Sequence, residues 1–184
     1  MEVVCGGDLF ENIVEDGEYT EQEAKVVMAS LLSALQFLHA QKIVHRDLKP
    51  DNILCKSRLE IKLADFGLSN LLPDSDQPFL KSLCGTPVYM APEMLQNRPY
   101  DKSVDVWSAG IIMYILMSGS LPFFADNPIE FLEVVLYSEF TFPDAEWGAV
   151  SYTAKGLIRK MLIPDPRKRP TVDDILADPW FNGY

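Results

Sequence analysis

The sequence has few cysteines and no pattern that would join them. Cys5, Cys55 and Cys84 are odd in number and share no metal-ligand spacing, which argues against a disulfide framework and against a zinc site. We therefore expect reduced thiols in an intracellular, cytoplasmic protein, with the nucleus as a further compartment.

Basic residues are also scarce, because 16 Lys and Arg stand against 27 Asp and Glu and leave a net charge of −11. This balance predicts that the protein binds neither nucleic acid nor an anionic membrane, and it favours metal ions and cationic partners. The most apolar stretch, residues 104–117, is too short to span a bilayer and predicts a helix buried in the middle of the domain.

The length of 184 residues and a hydrophobic content of 48% favour one domain with a substantial core. Polar residues with helix-capping patterns mark where its helices begin. These caps are Asp8, Thr20, Asn127, Ser151 and Thr171. The long helix after Thr20 is amphipathic, with one apolar face. Its apolar stripe is Ala24, Val27, Met28, Leu31, Leu32, Leu35 and Leu38.

Alternating polar and apolar residues predict a β-hairpin in the middle of the sequence. Residues 59–63 alternate, and we expect them to pair with residues 53–55 through a turn at residues 56–58. Residues 70–77 are polar and interrupted by proline, which predicts an irregular, mobile loop. The fold is therefore expected to be mainly α-helical with a small β-hairpin.

Residues 45–52, HRDLKPDN, gather a cation, two carboxylates and an amide between apolar flanks, which is typical of a catalytic loop. Asp47, Asn52 and Asp65 are hard oxygen ligands or bases that the hairpin folds together, and such a set suits Mg²⁺ and phosphate. Lys49 would supply the counter-charge. Each residue alone has a simpler interpretation as a turn or capping residue, but together they favour chemistry.

Asp105 is an anomaly, since a carboxylate on an otherwise apolar helix must accept hydrogen bonds. We expect its partners to be backbone N–H groups of residues 45–52. His39 lies near the end of the preceding long helix, and we interpret it as a structural residue whose polar ring suits the helix C-terminus.

Five motifs resemble, in order and spacing, the signature set of protein kinases. They are HRDLKPDN at residues 45–52, DFG at 65–67, GTPVYMAPE at 85–93, DVWSAG at 105–110 and RKRP at 167–170. GGDLFENIVEDGEYTEQEA and the late PWF are similar to the calcium/calmodulin-dependent kinase group, with sucrose-non-fermenting-like kinases next. The resemblance implies a partial protein kinase domain over residues 1–184, made of the hinge and the C-terminal lobe, with the β-rich N-terminal lobe absent.

The resemblance implies a role for each polar residue of the loop. Asp47 would accept or orient the proton of the substrate hydroxyl, and Lys49 would neutralise the transferred phosphoryl group. Asn52 and Asp65 would hold two Mg²⁺ ions beside ATP. Lys49 and Thr86 are typical of serine/threonine kinases, so the implied reaction is transfer of the γ-phosphoryl group to Ser or Thr of protein substrates.

Other residues are implied to be structural. Phe66 would pack against His45, although an ordinary core aromatic is the alternative. Glu93 would form a buried salt bridge with Arg169. Asp105 matches the family aspartate that holds the backbone of the catalytic loop, in agreement with the expectation from its apolar helix.

The resemblance also implies regulation, because Arg46 leaves a guanidinium that family members pair with a phosphate on the activation loop. Ser82 is the preferred acceptor of that phosphate from an upstream kinase. Ser75 and Ser69 are rivals, and an unmodified loop serine is the alternative. Asn70 departs from relatives that carry a basic residue there, which weakens the expected phosphate clamp.

Contacts with ATP are implied at five positions. Glu2 and Val4 of the hinge would offer backbone groups to adenine. Asp8 and Asp51 would contact ribose or a substrate arginine, and Leu54 belongs to the same set. Helix capping is the alternative for Asp8. The acidic net charge makes basic protein substrates the expected partners.

A kinase also needs a Gly-rich loop, a strand lysine and a helix glutamate that orients the lysine. The sequence contains none of these, and we expect a truncated gene model or an alternative start at Met1. The chain alone is therefore expected to be weakly active or inactive. The alternative is a non-catalytic, kinase-derived binding or regulatory module. A Mg²⁺-dependent hydrolase has no specific motif in its favour.

Overall fold

A computed structural model describes residues 6–75, 78–137 and 140–182. Helices dominate these residues, so the expected mainly α-helical fold with a small β part is confirmed. The helices are α1 (Leu9–Asp16), α2 (Glu21–Ala40), α3 (Pro92–Leu95), α4 (Ser103–Ser118), α5 (Pro128–Tyr137), α6 (Asp144–Trp147), α7 (Tyr152–Met161) and α8 (Val172–Leu176). The strands are β1 (Ile43–Val44), β2 (Ile53–Cys55), β3 (Ile61–Leu63) and β4 (Asn70–Leu71). Short 3₁₀ turns cover Pro50–Asn52, Pro87–Tyr89 and Pro179–Phe181.

The long helix α2 begins at the capping box predicted from the sequence. Thr20 Oγ1 accepts a hydrogen bond from Glu23 N at 3.3 Å, and Glu23 Oε2 accepts one from Thr20 N at 2.8 Å. The predicted apolar stripe of α2 is buried throughout. Asp8 and Thr171 cap α1 and α8 in the same way, so these helix starts are also confirmed.

Helix α4 is the buried centre of the domain, as predicted, because every residue from 104 to 118 is buried. It packs against α2 and α7. Gly110 allows the close approach of α7, since a Cβ at this position would lie 2.9 Å from side-chain atoms of Met161 and Leu162.

The predicted hairpin is formed by β2 and β3, with Ile53 opposite Leu63. The strand begins at Ile61 and not at residue 59. The reason is that Glu60 closes the turn, where its carbonyl oxygen accepts a hydrogen bond from Lys56 N at 2.8 Å. The predicted strand is therefore two residues too long at its start.

The prediction of an irregular loop over residues 70–77 is wrong at its beginning. Asn70 and Leu71 form β4, which pairs antiparallel with β1. A two-residue polar strand carries no alternating pattern, so its pairing depends on the approach of β1 from elsewhere in the chain. Residues 76 and 77 lie outside the described part of the chain.

The structure also bears on the cysteines and on the length of the apolar helices. Cys55 and Cys84 are free thiols, and Cys5 lies outside the described ranges. No helix in residues 6–75, 78–137 or 140–182 is long and apolar enough to cross a membrane.

Candidate active site

The catalytic loop, residues 45–52, joins β1 to β2. His45 and Leu48 are buried in the core, whereas Asp47 and Lys49 are only partly buried. The loop therefore alternates side chains that fix it in the domain with side chains that reach the surface.

Asp105, buried on α4, holds the backbone of this loop. Its Oδ2 accepts a hydrogen bond from His45 N at 3.0 Å, and its Oδ1 accepts one from Arg46 N at 3.0 Å. These are the kind of donors expected from the sequence. His39 Nε2 lies 2.8 Å from the same Oδ2, a contact between α2 and α4 that sequence reasoning missed. Both oxygens of the buried carboxylate are thereby satisfied.

Two residues of the site have left-handed backbone conformations, with φ of 70° at Arg46 and 56° at Asp65. Such conformations are uncommon outside glycine and cost about 1–3 kcal/mol each. The two hydrogen bonds to Asp105 flank the peptide of Arg46 and offset its cost. The buried carboxylate thus determines the local shape of the loop.

Asp47 is the centre of a group of four polar side chains, the Asp47 cluster, made of Asp47, Lys49, Asn52 and Thr86. Asp47 Oδ1 accepts hydrogen bonds from the backbone N–H and the hydroxyl of Thr86, both at 3.0 Å. Asn52 Nδ2 donates to Asp47 Oδ2 at 3.2 Å. Lys49 Nζ lies 3.6 Å from Asp47 Oδ2 and donates to Thr86 Oγ1 at 3.2 Å. The carboxylate is therefore oriented from both sides, beside a cation.

Gly85 allows the activation segment, residues 65–93 without 76 and 77, to reach the Asp47 cluster. Its φ is +104°, and a Cβ at this position would lie 2.6 Å from Arg46 O. Only glycine combines this conformation with so close an approach. Thr86 consequently reaches Asp47 directly.

Asp65 lies next to Asn52 through the hairpin, because Ala64 N donates to Asn52 O at 2.9 Å. Asp65 is exposed, and one of its carboxylate oxygens accepts a hydrogen bond from Gly67 N at 3.1 Å. The amide nitrogen of Asn52 is committed to Asp47, which leaves its carbonyl oxygen as the atom able to bind a cation.

This donor set fits Mg²⁺, which takes hard oxygen ligands and completes its shell with phosphate and water. The described residues contain no group of three or more His, Cys, Asp or Glu side chains arranged for a metal ion. Asn52 and Asp65 supply oxygen atoms from two side chains, and an ion bound there would complete its shell with phosphate and water.

The ring of Phe66 contacts His45, with centroids 5.2 Å apart in an edge-on arrangement. His45 Nε2 lies 3.0 Å from Ala64 O, which links the same ring to the backbone before Asp65. Phe66 is 47% exposed and is therefore not an ordinary core aromatic. The contact joins the catalytic loop to the start of the activation segment.

A buried ion pair fixes the other end of the segment. Arg169 Nη1 donates to Glu93 Oε1 at 2.8 Å, and Arg169 Nη2 donates to Glu93 Oε2 at 3.1 Å. Arg169 also donates to three backbone carbonyl oxygens, those of Ile163, Ser103 and Pro164. The guanidinium is thus well satisfied in spite of its burial.

Arg46 contacts the activation segment directly at Leu68 and is linked to Ser82 through Tyr100, a residue that no sequence pattern singled out. Arg46 Nε donates to Leu68 O at 2.6 Å, and its Nη1 donates to Tyr100 Oη at 3.1 Å. Tyr100 Oη in turn donates to Ser82 O at 2.7 Å. Ser82 is exposed, so Arg46 and Ser82 are connected through Tyr100 and not by a direct bond.

Three of the five residues expected to contact ATP, Asp8, Asp51 and Leu54, lie among the described residues. Asp8 Oδ1 accepts a hydrogen bond from Glu11 N at 2.8 Å, so Asp8 is a helix cap whatever else it does. A backbone bridge joins Asp8 to half-buried Leu54, and Asp51 is exposed in its 3₁₀ turn. The nucleotide contacts of these residues stay predictions. The two hinge positions that lie outside the described residues are Glu2 and Val4.

Comparison with known proteins agrees with this geometry. The family model described as "Protein kinase domain" matches residues 1–181. The chain belongs to the protein kinase domain family. Its match includes the catalytic loop, the activation segment and the Glu93–Arg169 pair.

The relatives that the chain matches belong to particular groups of protein kinases. Myosin light chain kinase A of Dictyostelium discoideum is 44% identical over the whole chain, which corresponds to 62% of that protein. Calcium/calmodulin-dependent protein kinase type 1 of Macrobrachium nipponense is 43% identical over the whole chain and 53% of its own length. An SNF1-related protein kinase catalytic subunit of Arabidopsis thaliana is 42% identical, over 36% of its length. The chain spans about half the length of the curated relatives it matches.

Proposed function

We propose that the protein transfers the γ-phosphoryl group of ATP to Ser or Thr hydroxyls of protein substrates, in the presence of Mg²⁺. The observation that carries the proposal is the Asp47 cluster, in which a carboxylate, a cation and an amide converge on a loop that is anchored in the core. Phosphoryl transfer depends mainly on positioning and charge stabilisation, and this cluster offers both.

Each side chain has a role in this proposal. Asp47 orients the substrate hydroxyl and accepts its proton, and Thr86 holds the carboxylate in place. Lys49 neutralises charge on the transferred group. Asn52 and Asp65 are the residues that would hold Mg²⁺, and the bound ion would neutralise phosphate charge.

Regulation by phosphorylation belongs to the same proposal. Arg46 is partly buried, and its guanidinium is linked to the backbone of Ser82 by two hydrogen bonds through Tyr100. A phosphate on Ser82 would offer Arg46 a stronger, charge-assisted partner. An upstream kinase is the expected source of the phosphate, and basic proteins are the expected substrates because the chain carries a net charge of −11.

The isolated 184-residue chain is expected to be weakly active or inactive, because its sequence contains no Gly-rich loop and no strand lysine to hold ATP. A second function, that of a non-catalytic module that binds partners of complete kinases, is favoured by this observation alone. The two functions predict different behaviour once a Gly-rich loop and a strand lysine are joined to the 184 residues.

A chimera separates these functions. The segment that precedes the aligned region in Dictyostelium myosin light chain kinase A would be fused before residue 1, and transfer from labelled ATP to a basic serine peptide would be measured. We expect the chimera to phosphorylate the serine peptide and not its tyrosine counterpart, whereas the isolated chain gives a weak signal. A folded chimera that transfers no phosphate to Ser or Thr peptides would favour the binding module.

A further inference from the structure

A cavity of about 730 Å³ lies behind the catalytic loop and shares no residue with the Asp47 cluster. The last turns of α2, the beginning of α4 and the segment that leads into α8 form its walls. Its volume falls within the range of about 300–1,000 Å³ that is typical of small-molecule sites. None of the roles described above uses this cavity.

The walls of this cavity, which we call the back cavity, provide apolar surface for a flat ring. Phe37 and Ala40 contribute from α2, Val106 from α4, and Pro170 and Val172 from the opposite side. Phe37 is 68% exposed although it is a large aromatic residue. Concave apolar surface of this kind favours an aromatic ligand, because burying the ring removes apolar area from water on both partners.

One unpaired hydroxyl, that of Ser103, belongs to a residue of the lining. Ser103 Oγ is buried and has no hydrogen-bond partner among the described residues. Its backbone is fixed, since Ser103 N donates to Asp101 Oδ1 at 2.9 Å and Ser103 O accepts from Arg169 Nη1 at 2.9 Å. Buried polar groups are normally paired, so this hydroxyl suits a ligand that brings a hydrogen-bonding group.

The two arginines of the lining are paired within the protein. Arg169 is bound to Glu93, Arg167 is bound to Asp165, and Asp173 accepts a hydrogen bond from Gln36. Lys102 and Asp101 also lie in the lining and carry opposite charges. Neither guanidinium is therefore free to bind an anion, and the remaining charges of the lining are of both signs, which favours an uncharged molecule over an anion.

The cavity is connected to the catalytic loop through one buried side chain. His39 forms part of the wall, and its Nε2 lies 2.8 Å from Asp105 Oδ2. The same carboxylate holds the backbone N–H groups of His45 and Arg46. A molecule that displaces the His39 ring would consequently change the environment of these two amides.

We propose that the back cavity is a binding site for an uncharged, planar aromatic molecule that carries an amide-like hydrogen-bonding group. The ring lies against Phe37 and Pro170, and the carbonyl oxygen of the ligand accepts a hydrogen bond from Ser103 Oγ. Occupancy of the site is linked to the catalytic loop through His39 and Asp105.

Benzamide is a suitable probe, since it combines a phenyl ring with a neutral amide. Saturable binding to the protein would be followed in ¹H–¹⁵N spectra as benzamide is added. We expect Phe37→Ala to weaken binding about ten-fold and Ser103→Ala about five-fold. Ser103→Ala should leave the fold intact, because its hydroxyl has no partner to lose.

The matched control is Phe124→Ala, which removes another exposed phenylalanine, 75% exposed, that is not part of the lining. It should leave the affinity for benzamide unchanged. The absence of saturable binding, or equal weakening by Phe37→Ala and Phe124→Ala, would overturn the site. Binding that leaves the amide signals of His45 and Arg46 unmoved would overturn the link to the loop.

Discussion

The catalytic loop and the activation segment differ in what holds them in place. Within the loop, His45, Leu48 and Asn52 are buried, and Asp105 binds two backbone amides. The activation segment instead exposes large apolar side chains along its length. These are Phe66, Leu68, Leu71, Phe79 and Leu83.

This difference shows that Asp47, the proposed base, and the activation segment, the proposed site of regulation, are stabilised by separate sets of contacts. The position of Asp47 follows from a loop that is anchored in the core. The activation segment is held at separate points, by β1, by Tyr100 and by Asp47, and its end is fixed by the Glu93–Arg169 pair, while the residues between these points are largely exposed. Segments with few buried contacts open at low free-energy cost, so we expect the activation segment to rearrange more easily than the loop.

The largest effect should come from the ion pair that fixes the end of the segment. Arg169→Ala leaves Glu93 buried without its partner, and we expect a loss of about 3–5 kcal/mol in the free energy of unfolding. Urea denaturation measures this loss. Arg167→Ala is the matched control, because Arg167 and its partner Asp165 lie at the surface, and it should leave the midpoint unchanged. Similar midpoints for the two variants would contradict the structural role of the pair.

The second prediction tests the anchor of the loop. Asp105→Asn replaces one accepting oxygen by an N–H donor that faces a backbone N–H. We expect a loss of about 2–3 kcal/mol in stability, because hydrogen bonds to charged groups are among the stronger ones. Hydrogen exchange should accelerate at the amides of His45 and Arg46. Exchange at these amides that equals the unmodified protein's would show that the loop is held by other contacts.

A smaller effect is expected where the segment meets the loop. Gly85→Ala introduces a Cβ 2.6 Å from Arg46 O at a φ of +104°. We expect a loss of about 2 kcal/mol in urea denaturation and a weaker contact between Thr86 and Asp47. Gly17→Ala is the control, because Gly17 also has positive φ but has nothing within 4 Å of the added atom. Equal losses would mean that backbone strain alone, and not the close approach, explains the effect.

The smallest effect concerns alkaline pH. Burial raises the pKa of Tyr89, in the segment, to about 12 and the pKa of Cys55, in β2, to about 11. The unfolded chain ionises first, since the ordinary values are 10.0 and 9.0. The stabilisation that these two groups contribute is therefore fully present below about pH 9, and it is lost progressively as the pH rises towards about 12.

Tyr89→Phe removes one of these two groups, so the fall in urea midpoint between about pH 9 and about pH 11 should become shallower. Tyr152→Phe, a substitution at a residue that is 90% exposed, is the control and should leave the fall unchanged. A fall that Tyr89→Phe does not alter would mean that other groups cause the alkaline loss.

Much of the fold could be predicted from local patterns. The capping boxes at Asp8, Thr20 and Thr171 mark helix starts because their hydrogen bonds join residues three apart, which a sequence reveals directly. The buried helix α4 follows from its composition. By contrast, β4 consists of two residues whose partners lie in β1, and such pairing leaves no local signal.

In the candidate site, too, local contacts could be predicted from the sequence, whereas contacts between distant residues could not. Asp47, Lys49 and Asn52 lie within one short loop, so the motif alone brings them together. His39 and Tyr100 were missed because their contacts join distant parts of the chain. His39 on α2 contacts Asp105 on α4, and Tyr100, which precedes α4, contacts Arg46 and Ser82. Asp105 could be linked to the loop in advance because a carboxylate on an apolar helix is an anomaly that requires donors from another element.

The most direct test of the proposed role of Asp47 is the rate of phosphate transfer to the basic serine peptide by the chimera and by its Asp47→Asn variant. The side chain of the variant keeps its size but no longer accepts a proton. We predict a loss of about 10²–10⁴-fold in kcat, the range expected when a general base is removed. Equal rates for the two proteins would contradict the assignment of Asp47 as the catalytic base.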